Sequence, residues 1–385
     1  MQIETRYKPA LDRRLSLYLD AVRFAAAFWV VLAHFRLWDF APPAVAAWLP
    51  DTGRDAVILF FVLSGFVIAH TAGRKDGRTY AVDRAARICS VAIPIVLAAT
   101  AFALWGVERG VDGYDRFYQA DNILLYLGVY FSFTGSFWFL QEVPFGIVPY
   151  WSLNFEVWYY VLFGMLFYLR GRTRIILFGA VFLAVGFKLW LLWPVWLAGV
   201  WLYRHAERWP IRPAVARATM LATVAIYAAM EASGADQWLW AIGNAPFGGL
   251  ADSPLGDARF FLSDYAVGIL AVIHLHAAHH AELRLPQWSA PPIRWLAGFT
   301  FTLYLAHGPL LTFWGIHMGK GDGSIGAALL LFCGLLLAVV AIGYATERRL
   351  NAWRHGIAWA ASRSERCLST LRRRVAAGSV LRLHR

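Results

Sequence analysis

LYLDAVRFAAAFWVVLAHFRLW, residues 17–38, is the stretch that decides the fold class. It is long and apolar enough to cross a bilayer as one α-helix. It also contains Arg23 and His34, and an ionisable residue inside a membrane span is costly enough to suggest a functional site. The two residues are eleven positions apart. This spacing places them on the same helix face to within roughly 20° and about 16 Å apart along the axis.

One face of this helix is therefore predicted to carry a permanent cation near one membrane surface and a titratable imidazole near the other. The alternative is that Arg23 extends its charge to the membrane surface while His34 bonds to a neighbouring helix. Motifs elsewhere in the chain favour the functional interpretation.

The whole chain is too apolar for a water-soluble fold. Of its 385 residues, 59% are hydrophobic and only 16% are charged, so a soluble fold would expose too much apolar surface. The sequence predicts an all-α, polytopic membrane bundle of about ten transmembrane helices. The predicted spans are roughly 17–38, 56–73, 88–107, 151–169, 174–190, 192–206, 214–232, 260–281, 294–316 and 325–346.

Lysine and arginine residues predict the orientation of these spans. With both termini in the cytoplasm, 28 of the 36 lie in cytoplasmic segments or at adjoining span ends, and 6 lie on the opposite side. This bias follows the positive-inside rule and accounts for the net charge of +12 without nucleic-acid binding. If 121–145 crossed the membrane, later arginines would fall outside. This segment is therefore expected to form helix and loop at the outer face.

The chain is predicted to have three parts. Residues 1–16 form a cytoplasmic N-terminal segment, 17–350 a membrane domain, and 351–385 a basic cytoplasmic tail on anionic lipid. The first apolar stretch lacks a cleavage site, so it is expected to remain as the first span. The three cysteines offer neither a disulfide framework nor metal-ligand spacing; they are Cys89, Cys333 and Cys367.

Five local patterns occur in order at matching spans. They are Arg23-x10-His34, Phe60–Phe66 (FFVLSGF), Arg84-x-x-Arg87, Trp151-Ser-Leu-x-x-Glu156, and Leu303-Tyr-Leu-x-His307-x-Pro309. Together they resemble the acyltransferase 3 family, bacterial inner-membrane enzymes that O-acylate the sugars of surface glycans. The resemblance runs from about residue 15 to about residue 350. It implies that Arg23, His34, Arg84 and Arg87 are essential residues.

Acyl transfer to a sugar hydroxyl needs a base that works near neutral pH, and a neutral imidazole such as that of His34 suits this role. His34 could also act as a transient acyl carrier. Glu156 and His307 lie toward the same outer end of their spans, and Glu156 is the candidate that orients His34. The alternatives are an interfacial glutamate for Glu156 and a helix-packing hydrogen bond for His307. Tyr304, one turn before His307, shares that ambiguity.

The donor, acyl-CoA, would arrive from the cytoplasm with several phosphate charges. Arg84 and Arg87 are three residues apart, so on a helix they project from one face and suit phosphate oxygens. The alternative is that they only set topology. Arg23, deeper in the same half, could guide the donor. Ser64 and Gly65 form a small pair that allows helices, or a ligand, to approach closely, with packing the favoured role.

Two further groups of ionisable residues lie near the ends of predicted spans. Asp264 lies just inside the outer edge of its span and could line the acceptor entrance, or it could be an interfacial carboxylate facing water. His276 and His280 have a zinc-like spacing but no clear third ligand, so no metal site is expected.

These patterns lead to a specific hypothesis. The protein is expected to move an acyl group, most simply acetyl, from cytoplasmic acyl-CoA to a hydroxyl of an extracytoplasmic or lipid-linked glycan, with no permanently bound cofactor. A proton-coupled secondary transporter is the alternative, because intramembrane Arg, His and Glu also build proton relays. Transporters often contain an internal repeat with broken helices, and we find no such repeat in the sequence. A structural or sensory subunit would leave the buried ionisable residues unexplained.

The charge bias gives a direct test of sidedness. Single cysteines at Thr79 and Ser253, in a background lacking the native cysteines, should label differently because the two loops are predicted on opposite sides. An impermeant thiol reagent added to intact spheroplasts should modify position 253 and spare position 79 until the membrane is opened. The reverse pattern would place Arg84 and Arg87 with the acceptor and would exclude transfer through the bundle.

Overall fold

A computed structural model describes residues 11–112, 114 and 122–363 of the chain. The described part is all-helical, with 78% helix and no β-strand, which confirms the predicted fold class. Most of the predicted N-terminal segment and most of the basic tail lie outside the described residues, so these predictions are untested.

Fourteen α-helices are numbered here in chain order within the described residues. They are α1 (Arg13–Leu37), α2 (Pro43–Ala46), α3 (Arg54–Ala72), α4 (Gly77–Glu108), α5 (Ile123–Phe131), α6 (Tyr150–Tyr168), α7 (Gly171–Val185), α8 (Phe187–His205), α9 (Pro213–Ser233), α10 (Ala235–Asn244), α11 (Phe261–His280), α12 (Ala290–Ala297), α13 (Thr300–His317) and α14 (Ile325–Ala345). A 3-10 turn, Glu347–Arg349, leads from α14 into a further helical stretch, 350–363.

Six of these helices are long and apolar enough to cross a membrane, and the number rises to eight if two bent pairs each count as one span. The count of about ten is therefore not confirmed. One bent pair is α7 with α8, which meet at 116° where Gly186 adopts a positive φ of 83°. The other joins α12 to α13 at 47°. Helix α6 is not among the candidates, because its tyrosines, tryptophans and Glu156 lower its mean hydropathy.

Helix α3 lies at the centre of the bundle and packs closely against α8. A Cβ atom on Gly65 would lie 2.0 Å from the carbonyl oxygen of Trp196, and one on Gly199 would lie 1.9 Å from that of Val62. Only glycine permits two helix backbones to approach so closely. The close helix approach predicted at Ser64-Gly65 is thus confirmed for Gly65, and it fixes the position of α3.

The helix ends near Arg84 are tied together by one buried carboxylate. Asp83, only 4% exposed, forms ion pairs with Lys75 and with Arg354, whose Nε lies 2.6 Å from the carboxylate. Arg354 belongs to the stretch 350–363, so this stretch is held against the start of α4. A buried carboxylate paired with two cations satisfies its charge inside the protein.

The opposite ends of the helices are covered by the loop that follows α5. This segment is helix and loop, as predicted for 121–145. The loop contacts α13 where Gly308 would place a Cβ atom 2.3 Å from the carbonyl oxygen of Gly146. The contact positions the residues next to Gly308, among them His307.

Candidate active site

A cavity of about 200 Å³ lies between α1, α3, α4, α6 and α13, and we call it the central cavity. It brings together residues that are far apart in the sequence. Six predicted site residues line it, namely Arg23, Ser64, Arg84, Arg87, Glu156 and Tyr304. This clustering could not follow from any one local motif, so it independently supports a shared role.

Two cations in the central cavity lack a carboxylate partner. Arg84 and Arg87, at the start of α4, form no ion pair with any other described residue, and Nε of Arg84 is buried without a hydrogen-bond partner. The Arg84 guanidinium lies 5.9 Å from the ring centre of Tyr160. Arg23 is close to Arg87 but has a partner, since Nη1 lies 3.4 Å from Asp20. Unpaired guanidinium groups in a buried site favour an anionic ligand.

A hydrogen-bond network surrounds Glu156 on the wall of the central cavity. Ser64 Oγ donates to Glu156 Oε1 at 2.8 Å, and Tyr160 donates to the same oxygen. Trp196 Nε1 donates to Ser64 Oγ at 3.2 Å. The network joins α3, α6 and α8 and holds Glu156 in one orientation.

His34 and His307 form a hydrogen-bonded pair between α1 and α13. Nδ1 of His34 lies 3.0 Å from Nε2 of His307, and Nδ1 of His307 lies 2.9 Å from the Leu303 carbonyl oxygen. A carbonyl only accepts, so Nδ1 of neutral His307 carries its proton and its Nε2 accepts from His34. Nε2 of neutral His34 then holds a lone pair, and the ring also has a backbone hydrogen bond to Val30.

The histidine pair lies beside the central cavity. His307 is fully buried, whereas His34 is half-buried and packs against Trp38 with ring centres 5.0 Å apart. Tyr304 lines the cavity one turn before His307 on α13, and its hydroxyl lies 2.6 Å from Ser152 Oγ. Tyr304 is therefore the lining residue of the central cavity that stands nearest in sequence to the histidine pair.

This geometry corrects the expected contact between His34 and Glu156. No hydrogen bond or ion pair joins His34 to Glu156 in the described part of the chain, and the side chain that bonds His34 is that of His307. The expectation rested on similar depth in the membrane. In the bundle, α13 packs against α1. Similar depth in the membrane was therefore not enough to identify the residue that bonds His34.

Asp264 also differs from its expected placement at an acceptor entrance. It is fully buried and paired with Arg54, whose Nε and Nη2 lie 2.8 and 2.6 Å from its two oxygens. Nη2 of Arg54 also donates to the Asp257 carbonyl oxygen at 2.6 Å. This two-point ion pair joins α3 to α11, and Asp264 is not among the residues that line the central cavity.

Sequence reasoning missed two residues of this region. Tyr160 lines the central cavity and bonds Glu156, and its position four residues after Glu156 on α6 was a usable signal because both share a helix face. Arg54 is 210 residues from Asp264. No local pattern could have joined that pair.

Within the described ranges, no group of three His, Cys, Asp or Glu residues is arranged to hold a metal ion. His276 and His280 are in ring contact, but Nε2 of His280 lies 3.0 Å from the Ala206 carbonyl oxygen. These histidines therefore connect the end of α11 to the end of α8.

The fold and the site define a multi-pass membrane protein whose helical bundle contains a cavity lined by three arginines and a glutamate. A family model described as an acyltransferase domain matches residues 16–348, which is most of the chain. The protein belongs to the acyltransferase 3 family and is a membrane acyltransferase. No curated protein and no solved structure matched the chain.

The structural role of Asp264 can be tested by replacing it with asparagine. Asp264→Asn leaves Arg54 without its buried counter-charge, so we expect destabilisation of about 3–5 kcal/mol. A fluorescence-monitored melt of the detergent-solubilised protein should give a clearly lower Tm, while the folded fraction binds donor normally. Asp252→Asn, at an exposed loop position, is the control and should melt like the native protein. A native Tm combined with weakened ligand binding would contradict the structural role.

Proposed function

We propose that the protein transfers an acyl group from cytoplasmic acyl-CoA to a hydroxyl of an extracytoplasmic or lipid-linked glycan. The observation that carries this proposal is the central cavity, which Arg84 and Arg87 line together with Tyr304, one helical turn before His307 of the His34–His307 pair. Anion-binding groups at one end and an available base at the other suit a phosphate-bearing donor and a hydroxyl acceptor.

In this proposal the arginines bind the phosphates of the donor. Arg84 and Arg87 present planar guanidinium groups from one helix face, and the buried Nε of Arg84 offers a donor that the protein leaves unused. Arg23, deeper along α1, guides the acyl-bearing arm of the donor along the cavity. The cavity volume of about 200 Å³ is small for a ligand site, which supports a short acyl group such as acetyl.

His34 acts as the general base. Its Nε2 removes the proton of the acceptor hydroxyl while the hydroxyl oxygen attacks the thioester carbonyl carbon. The carbon–sulfur bond breaks, the acyl group forms an ester with the acceptor, and the proton on His34 passes to the departing CoA thiolate. His307 keeps the His34 ring in the orientation that directs Nε2 away from the pair.

The proposal includes the predicted sidedness. The donor then enters at the cytoplasmic ends of the helices, the acceptor approaches from the outer face of a bacterial inner membrane, and both termini are cytoplasmic. It keeps a ten-span bundle, with 17–350 as the membrane domain between the N-terminal segment and the basic tail on anionic lipid. Membership of the acyltransferase 3 family favours this function over a transporter. Transfer by purified protein without a transmembrane gradient separates the two.

His34→Ala tests the proposed base. Because a helix accepts alanine readily, the variant should insert and bind acyl-CoA normally, yet lose transfer by a factor of about 10²–10⁴. Mass spectrometry of surface glycans from deletion strains complemented with each variant measures the loss. His355→Ala, at an exposed position far along the chain, is the control and should restore native acylation. Near-native acylation by His34→Ala would remove His34 from the mechanism.

Arg84→Lys and Arg87→Lys test the donor site separately from topology. Lysine keeps the positive charge but lacks the planar fork, so each variant should bind acyl-CoA about tenfold more weakly with unchanged orientation. Equilibrium binding of labelled acetyl-CoA to purified protein provides the measurement. Arg172→Lys, an exposed arginine after α6, serves as the matched control. Native affinity in both test variants would show that these arginines set topology only.

A further inference from the structure

A second cavity, which we call the lateral groove, lies between α1, α3, α9 and α11. Its volume of about 400 Å³ falls within the usual range for ligand sites. Its lining residues on α1 include Val22, Ala26 and Trp29, and Arg23 lies about 100° around the helix from Val22. The lateral groove and the central cavity thus lie against different faces of α1.

The walls of the lateral groove are mainly apolar and belong to helices that are candidate membrane spans. Helix α9, which forms one wall, is peripheral, since only 11% of its most apolar stretch is buried. Val224, a groove residue on this helix, is 57% exposed. In a membrane such a surface faces hydrocarbon, so a lipid chain is the chemistry that fits the groove.

One carboxylate stands at an end of this apolar groove. Asp55, in the first turn of α3, accepts a hydrogen bond from the Tyr227 hydroxyl at 2.9 Å through Oδ2, and its Oδ1 has no partner in the described part of the chain. The neighbouring cation, Arg54, is already engaged by Asp264. An ionisable residue inside a span with an unused acceptor oxygen indicates a polar ligand group.

The charge around Asp55 restricts what that polar group can be. Asp55 is the carboxylate that lines the groove, and Glu231 lies within electrostatic range of Asp55, Asp51 and Asp236. A carboxylate in the groove repels phosphate and attracts groups that donate hydrogen bonds. Sugar hydroxyls donate without carrying charge.

We propose that the lateral groove binds the hydrocarbon chain of a glycolipid acceptor whose headgroup is an uncharged sugar, with Asp55 accepting a hydrogen bond from a sugar hydroxyl. The inference rests on the proposed function. Gly53, two residues before Asp55, packs against Val30 of α1, whose Cα would lie 3.2 Å from a Cβ at that glycine. Val30 is one helical turn before His34.

Photolabelling of full-length protein in nanodiscs tests this inference. The probe is a glucosyl diacylglycerol with a diazirine in one acyl chain, and the comparison probe is a phosphatidylglycerol with the same chain. Peptides of α1, α9 and α11 should be labelled by the glucosyl lipid and about tenfold less by the anionic lipid. Asp55→Asn should lower labelling by the glucosyl lipid about tenfold, since it loses a charge-assisted hydrogen bond.

Matched variants on α9 keep the test specific. Val224→Trp fills the groove and should abolish the labelling, whereas Ile226→Trp, which is 54% exposed and does not line the groove, should leave it unchanged. Equal labelling by both lipids, or undiminished labelling in Val224→Trp, overturns the inference. Acylation of a water-soluble glycan without glycolipid labelling overturns the groove and leaves the proposed function standing. Groove labelling without any acyl transfer overturns the proposed function and leaves the groove standing.

Discussion

An ionisable side chain inside an apolar bundle needs a partner within the protein, and this constraint organises the whole molecule. Asp264 forms an ion pair with Arg54, and Asp83 forms ion pairs with Lys75 and Arg354. These pairs hold helices together. Arg84 and Arg87 have no carboxylate partner among the described residues, although they line a buried cavity. The difference between satisfied and unsatisfied charges separates structural residues from candidate ligand-binding residues.

The central position of α3 connects these two classes. Its first turn carries Arg54, which fastens it to α11, and its middle carries Ser64, which bonds Glu156 of α6. Between α3 and α8 the backbones touch at Gly65 and Gly199. Because such close packing resists displacement, the cavity wall at Ser64 is held in a fixed position relative to the arginines on α4.

The sequence was most informative where the signal lay within one helix. The spacing of Arg23 and His34 on α1, and of Arg84 and Arg87 on α4, predicted residues that the structure places in or beside one cavity. Helical character followed from composition, but the number of spans did not. Aromatic and polar residues in α6 and the sharp turn at Gly186 weaken the hydropathy signal that marks a membrane span.

The pairing of residues on different helices could not be predicted from local sequence patterns. Residues at similar depth have many possible neighbours, and only the packing order of the helices selects one. Depth alone points to Glu156 as the partner of His34, whereas the packing brings His307 against it.

The hydrogen bond between His34 and His307 joins positions 273 residues apart, on the first and the penultimate long helices. A membrane protein is synthesised from its N-terminus, so His34 enters the bilayer long before its partner exists. A chain released early from the ribosome would contain the arginines and the cavity-facing serine but would lack the oriented imidazole. Under the proposed function, assembly order therefore delays the chemistry, because the base acquires its orienting partner only when nearly the entire bundle has formed.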